Sequence, residues 1–463
     1  MKVLFIQRLF FEYTGVSYLS ASLKKNGFST DLIIEKSINK IKNYISASRP
    51  DVVAMSIISG YEGFYGNTAK AIREISRDIV LVAGGPHITF FPGFLKNSEF
   101  NFGMMGEVDT LLPVALQNME SLEKVPNVVI DGQAVSCIDS LEEDLDTLPF
   151  PDRDLYLKKY PLLGNIPNKH FVTGRGCPYE CSFCFNVSLK NIYRGKGSFV
   201  RRLSPERVIS EIEYIRKHYP LKAVRFDDDV FTLDSRWLCE FLPLYKERIN
   251  LPYSCLIRAN NFSDDTGRLL KDTSCHFVQF GIESANDRLR KEVLNKKIEK
   301  KHIIDASLIL KKYRIKFGTF NMLNIPTETF DQGFETIELN RFIHTSLPWC
   351  SVIQPYPGTG LAEYARSIGL LDDKGLEGIQ GSYFNRGLLW NRDSKRLIRM
   401  QKLFFFLCKI KLSRRITRFL VSLPLSFVYN AVFFATFGYR YLKTYRIGLK
   451  YLIILGIKTR GDF

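Results

Sequence analysis

The 463-residue sequence predicts an α/β protein: a doubly wound parallel sheet, then a run of β/α units, then a helical extension. Three observations carry this. Short apolar runs alternate with segments of helical period over residues 1 to about 130. After an acidic connector containing proline, the alternation resumes and yields six more units by about residue 370. From Arg392 the composition turns to a basic, apolar mixture at helical spacing. The expected organisation is therefore 1–130, a connector at 131–164, 165–370, and an extension at 371–463, a length that allows separate cores.

Lys2 to Gln7 reads as a buried strand and Tyr18 to Asn26 as a helix closed by Gly27. Strands at Thr30 to Glu35, Asp51 to Ser56 and Ile79 to Ala83 follow, separated by helices at Ile38 to Ser48 and Gly66 to Ser76. Ligands of such a sheet sit beyond the carboxyl ends of its strands. The candidate ligand loops are thus Thr14-Gly15, Ser56 to Gly60, and Gly84-Gly85-Pro86-His87, where paired glycines let backbone approach a ligand closely. His87, after a proline, reads as a turn residue rather than a metal ligand. Leu148-Pro149-Phe150-Pro151 ends the connector as a stiff extended segment.

His170 to Thr173 is the next strand, and it runs into Gly174-Arg175-Gly176-Cys177-Pro178-Tyr179-Glu180-Cys181-Ser182-Phe183-Cys184-Phe185. Thiolates at Cys-x3-Cys-x2-Cys spacing can hold three irons of a [4Fe–4S] cluster and leave one iron open. A closed zinc site would need a fourth ligand nearby, and the next histidine, His218, falls in an expected helix that starts at Ser204-Pro205. Strands are expected at 222–227, 253–258, 276–282, 316–323 and 348–354, with helices at 235–249, 264–273, 300–313 and 330–343. The cysteines then lie at the strand-end face of a β/α barrel, the face that carries chemistry. Other strand ends there carry Asp228-Asp229, Arg258, Gly281-Ile282-Glu283-Ser284, Asn324 to Thr329, and Gln354-Pro355-Tyr356-Pro357-Gly358-Thr359. The last two are proline and glycine turns and read as architectural.

The cysteine loop resembles that of the radical S-adenosylmethionine (SAM) enzymes. The unit before it is similar to the flavodoxin-like cobalamin-binding domain of one large class of them. Ser56, Gly84-Gly85 and Gly106-Glu107 fall where that class shows Ser, Gly-Gly and Gly-Glu, and the resemblance spans residues 1 to about 370. It implies an open, six-unit partial TIM barrel. It implies that Cys177, Cys181 and Cys184 hold the [4Fe–4S] cluster, whose open iron is chelated by SAM. Phe183, Asp228, Asp229, Arg258, Gly281, Glu283 and Ser284 are then SAM contacts, and Thr14, Gly15, Ser56, Gly84, Gly85 and Glu107 cobalamin contacts. The Asp-x-His-x-x-Gly loop of other cobalamin proteins has no counterpart here. The implied activity is SAM cleavage, hydrogen abstraction from an unactivated carbon, and cobalamin-dependent C-methylation of a small or lipid-like substrate. The implied partner is an electron donor such as a flavodoxin or ferredoxin. A non-methylating cyclisation, oxidation or rearrangement uses the same radical. An electron carrier would use four cysteines and has no need of the strand-end motifs.

Hydrophobic content of 45% and charged content of 24% are those of a folded protein. The six cysteines outside the trio have no regular spacing, which excludes a secreted disulfide framework and fits a reducing cytoplasm. Met1 to Gln7 is too short an apolar run for a signal peptide. Of the net charge of +17, the stretch from Arg392 to Phe463 holds +14: sixteen Lys and Arg against Asp393 and Asp462. Within it, 419–439 is free of charge. Two readings stand, a helix lying in an anionic membrane surface at its cytoplasmic side and a helical cap on the barrel. Basic residues interleaved with an apolar run suit lipid better than a phosphate backbone, so nucleic acid is not the expected partner.

Overall fold

Residues 2–134 build one sheet and residues 168–352 another, and the connector between them is packed into their common core. The computed structural model describes residues 1–371, 387–389, 391–445 and 448–459; Arg446, Arg460 and Asp462, counted in the tail's charge, lie outside the described residues.

The first sheet contains β1 (Lys2–Gln7), β2 (Ser29–Ile34), β3 (Val52–Ser56), β4 (Val80–Gly84), β5 (Phe102–Met104), β6 (Val128–Ile130) and β7 (Gln133–Ala134). The spatial order is β2-β1-β3-β4-β5-β6-β7. The first five strands are parallel, and β6 and β7 add an antiparallel edge. This is the doubly wound order whose crevice opens where the winding reverses, between β1 and β3. Two helices start four residues before their expected positions, at Thr14 and Glu62, because glycines at 15, 63 and 66 weaken the helical signal of their first turns. Thr14-Gly15 is therefore a helix start, and Gly85 opens a short helix, Gly85–Phe90, directly after β4.

The second sheet contains β8 (Asn168–Phe171), β11 (Ala223–Phe226), β12 (Tyr253–Ile257), β13 (Cys275–Glu283), β14 (Lys316–Leu323) and β15 (Leu347–Val352). They pair in sequence order, all parallel, and β8 does not meet β15, so the sheet curls into an open half-barrel. The helices between them match the expected ones within about two residues, and Ser204 caps its helix by accepting the N–H of Arg207. A ribbon absent from the expectations, β9 (Gly174–Arg175) with β10 (Arg201–Arg202), ties off the two ends of the cysteine loop.

Gly174 and Gly176 are demanded by that ribbon. A Cβ on Gly174 would lie 2.5 Å from the carbonyl oxygen of Arg201, and one on Gly176, at φ +87°, would overlap that of Phe199. Gly195 also has positive φ but open space around it. Gly176→Ala is expected to cost more than ~2 kcal/mol and to lower bound iron, whereas Gly195→Ala costs ~1 kcal/mol and spares the iron. Thermal unfolding with iron analysis of the two variants checks this; equal effects would contradict it.

The helix Ser394–Lys409 buries Leu397, Met400, Leu403, Phe404 and Leu407 against Leu323, Cys350 and the helix Phe330–Phe342. Up to Lys409 the tail is thus a cap on the outer layer of the half-barrel. The charge-free run is split: helices Arg414–Ser422 and Ser426–Tyr445 meet around Pro424 at 116°. Among the described residues no single helix is long and apolar enough to cross a membrane.

Glu328, in the loop after β14, is fully enclosed; one carboxylate oxygen accepts the N–H of Ile325 at 3.1 Å and the other has no partner among the described residues. Burial pushes its carboxyl up to about 8 from the ordinary 4.5. The proton is held more tightly in the folded chain than in the unfolded one. The stabilisation is therefore complete below pH 4.5 and is lost as pH rises through 8. Glu328→Gln is expected to remove that slope, on the order of a few kcal/mol, and to be more stable than the parent at pH 8. Thermal unfolding across this range reads the effect, and parallel pH profiles would refute it.

Candidate functional site at the strand ends

Three neighbouring elements clamp the cysteine loop. Ser182 donates its N–H to Leu294 at 3.0 Å and its hydroxyl to Val293 at 2.7 Å, and its carbonyl accepts the N–H of Leu361 at 2.8 Å. Asn295 donates to the carbonyl of Glu180 at 2.6 Å. Ser188 donates to the carbonyl of Gly358, and Phe185 lies between Phe90, stacked at 4.6 Å, and Tyr356 at 5.0 Å. The Tyr356-Pro357-Gly358-Thr359 turn thus braces this loop as well as ending the barrel.

Cys181 is buried, and Cys177 and Cys184 are half-buried. Burial raises the thiols of Cys177 and Cys184, the latter to about 11, and the nearby Asp229 adds to the effect. Thiols held protonated in this way need a cation to become ligands. Arg258 donates to the sulfur of Cys181 at 3.5 Å and stacks over Tyr179 at 3.7 Å. Among the described residues no three His, Cys, Asp or Glu side chains converge as a single ion requires. Three separate thiols on one braced loop instead fit a cluster with its own volume, in which each sulfur takes a different iron.

The acids after β11 have distinct surroundings. Burial alone would raise Asp227, but His170 and Arg225 beside it hold its carboxyl well below the usual range. Asp228 is buried; one oxygen accepts from the N–H and hydroxyl of Thr173 and from Arg202, and the other has no partner among the described residues. Burial moves its carboxyl up to about 6. Asp229 opens toward the thiols, and its carboxyl is raised by the surrounding protein despite a hydrogen bond from Asn186. The structure therefore separates Asp228, a brace of the ribbon, from Asp229, an open carboxylate beside the cysteines.

At the end of β13, Glu283 has φ +61° at an irregularity in the pairing with β14, and its buried carboxylate takes Lys296 at 2.7 Å. A Cβ on Gly281 would overlap the tips of both groups, so any side chain there would displace the Glu283–Lys296 pair. Ser284 is a turn residue whose hydroxyl accepts the N–H of Asn286 and whose carbonyl takes the fully buried Arg290. Phe183 packs beside Leu289, Val293, Leu294 and Leu361.

A cavity of about 460 Å³ lies between the carboxyl ends of the first sheet and the cysteine loop. Thr14, Gly15, Ser56, Gly84, Gly85 and Glu107 all line it, opposite Arg175, Asn186, Leu189 and Phe199. No atom lies within 4 Å of a Cβ position on Gly15, and only the carbonyl of Met104, at 3.8 Å, does so for Gly84. Bare backbone therefore faces the open space, as a bulky planar ligand would need. Gly85 is different: at φ +87° its Cβ would lie 2.8 Å from the nitrogen of Ile57. His87 is buried away from the cavity, hydrogen-bonded to Ser59 and packed on Phe91 and Phe94.

Glu107 also joins the two halves. Its carboxylate takes Arg175 at 2.6 Å and Arg201 at 2.5 Å, its N–H donates to Tyr193 at 2.6 Å, and Asp109 takes Arg175 at 2.7 Å. Arg175, Arg201, Tyr193, Asn186, Asn295 and Lys296 were not among the expected site residues. Only Arg175, inside the glycine-flanked stretch, carried a signal in the sequence.

Residues 171–339 match the model of the radical SAM superfamily, and residues 10–116 match that of the B12 binding domain. An uncharacterized methyltransferase of Pyrococcus horikoshii is 28% identical over 380 residues, covering 77% of this chain and 79% of that one. Two solved structures share the fold. The cobalamin-dependent SAM radical enzyme OxsB, with aqua-cobalamin and SAM bound, has a TM-score of 0.69 at 14% identity, covering 99% of this chain and 75% of that one. The radical SAM methyltransferase TsrM of Kitasatospora setae, with tryptophan and a SAM analog bound, has a TM-score of 0.66 at 14% identity, covering 80% and 77%.

Proposed function

Because this chain is a radical SAM enzyme that carries a cobalamin-binding domain, we propose that Cys177, Cys181 and Cys184 hold its [4Fe–4S] cluster. Its activity is cobalamin-dependent radical SAM methylation. When bound, the cluster supplies the electron that cleaves SAM, and cobalamin carries the methyl group that goes to the substrate carbon.

The chain's own residues bind and orient these groups. Asp229, open beside the thiols, accepts hydrogen bonds from the SAM ammonium, and Arg258 at Cys181 pairs with its carboxylate. Phe183 flanks the adenine, and Gly281, Glu283 and Ser284 border the ribose, with Lys296 holding the Glu283 carboxylate in place. Asp228 acts on this pocket through Thr173 and Arg202. Cobalamin lies over Thr14, Gly15, Ser56, Gly84, Gly85 and Glu107. The observation that carries this reading is a cavity lined both by these six residues and by Gly174, Arg175 and Gly176, which lead into the cysteines, with Arg175 fixed between Glu107 and Asp109.

The substrate is a small molecule, and the reaction needs a reductant. We propose a lipid-like substrate and a flavodoxin or ferredoxin as the electron donor. Trp349 supports the first: it projects from the face of β15 opposite Cys350, with Phe437 at 5.8 Å and the Arg440 guanidinium at 4.0 Å. The test is product analysis with methyl-deuterated SAM and a chemical reductant. Methylation yields S-adenosylhomocysteine from the SAM that gives up its methyl group and 5′-deoxyadenosine from the SAM that is cleaved. Formation of 5′-deoxyadenosine alone would assign the non-methylating chemistry.

A further inference from the structure

The two helices after the barrel cap present an apolar surface that the proposed methylation does not use. Thr417, Val421 and Tyr429 are buried and fix the pair to the core. Arg414 pairs with Glu338 at 2.9 Å, and Arg418 pairs with Asp331 at 2.6 Å and covers Phe330. The Tyr429 hydroxyl lies within hydrogen-bonding reach of the carbonyls of Leu420 and Leu423, at 2.7 and 2.8 Å, which locks the bend. Ile416, Phe419, Leu425, Phe427, Val428 and Phe434 are exposed along the two helices and their bend, Phe427 by 85% and Phe419 by 68%. Soluble surfaces rarely gather so many large apolar side chains in one place.

We propose that this face docks on the surface of an anionic lipid bilayer. Charge selects that occupant. Lys411 and Arg415 stand exposed beside Ile416 and Phe419, and no Asp or Glu occurs between Asp393 and Asp462. The two barrel acids that border the pair, Glu338 and Asp331, are taken up by Arg414 and Arg418, which leaves Lys411 and Arg415 as unneutralised basic charge beside the exposed aromatics. An anionic headgroup layer attracts such a rim, and the aromatics insert at the acyl boundary. The locked bend keeps the pair on the bilayer surface. The same helix, Ser426–Tyr445, reaches Trp349 on β15, so docking brings the edge strand of the half-barrel toward the membrane. This agrees with the lipid-like substrate proposed above but does not depend on it.

The test is flotation of the full chain with vesicles of phosphatidylcholine alone or mixed with phosphatidylglycerol, at low and high salt. Binding is expected only to the anionic vesicles and is expected to weaken at high salt. Phe419→Glu with Phe427→Glu lowers the bound fraction about tenfold or more, and Lys411→Glu with Arg415→Glu also lowers it, both with unchanged iron content. Both pairs are exposed, so folding and cluster content provide an independent control. The proposal is overturned if the parent chain does not float or if the variants float as it does. It is also overturned if sedimentation shows that the substitutions dissociate a dimer while vesicle binding is absent, which would make the face a contact between copies.

Discussion

Replacing Cys177, Cys181 and Cys184 together by alanine reduces bound iron and SAM cleavage to background. In the proposed site each thiol is the sole protein ligand to one iron, and no other cysteine or histidine stands on the braced loop to substitute for it. The braces that shape the loop use Ser182, Asn295, Ser188 and the glycines of the ribbon, none of which involves sulfur. The alanine variant should therefore keep its fold and its thermal unfolding profile while losing the cluster. Cys239, exposed on an outer helix, and Cys275, buried where β13 begins, are remote from the loop, and their alanine variants keep both iron and 5′-deoxyadenosine formation. An intact cluster in the triple variant would remove the basis for every step assigned to SAM.

Gly84→Leu is expected to weaken cobalamin binding about tenfold or more while leaving iron unchanged. Backbone at Gly84 is extended, so a side chain is tolerated there, but it projects into open cavity that the corrin needs. Gly85→Leu is the contrasting variant. It forces a residue into φ +87° against Ile57 and Ser56 and should unfold the loop, with loss of stability as well as cobalt. Bound cobalt, bound iron and thermal unfolding together separate an occupied cavity from a damaged sheet. Equal cobalt in Gly84→Leu and the parent would place cobalamin elsewhere or nowhere on this chain.

Much of this architecture is legible in the sequence because it is local. The apolar runs of β1, β3 and β4 are continuous, and the cysteines lie within eight positions of one another. All six expected cobalamin residues reach one cavity because a parallel sheet delivers every strand's carboxyl end to the same side. What escaped is short or distant. β5, β6 and β7 span three, three and two residues, too few to show a period. The pairing of Glu283 with Lys296 depends on a positive φ and a buried π-helical turn around Arg290, which no pattern announces. Arg175 meets Asp109 and Glu107 across 66 and 68 positions, a contact set by topology. In the tail, charge and hydropathy are plain in the sequence. The division into a cap up to Lys409 and an exposed bent pair after it follows from which faces meet the barrel.

The central claim, that one chain places a SAM-binding cluster and cobalamin around one cavity, is tested most directly by cofactor content. Iron, sulfide and cobalt are measured together in protein purified anaerobically and reconstituted with hydroxocobalamin. The account predicts about four irons, about four sulfides and about one cobalt per chain. Iron without sulfide, or cobalt absent after reconstitution of a chain whose cluster is complete, would contradict it.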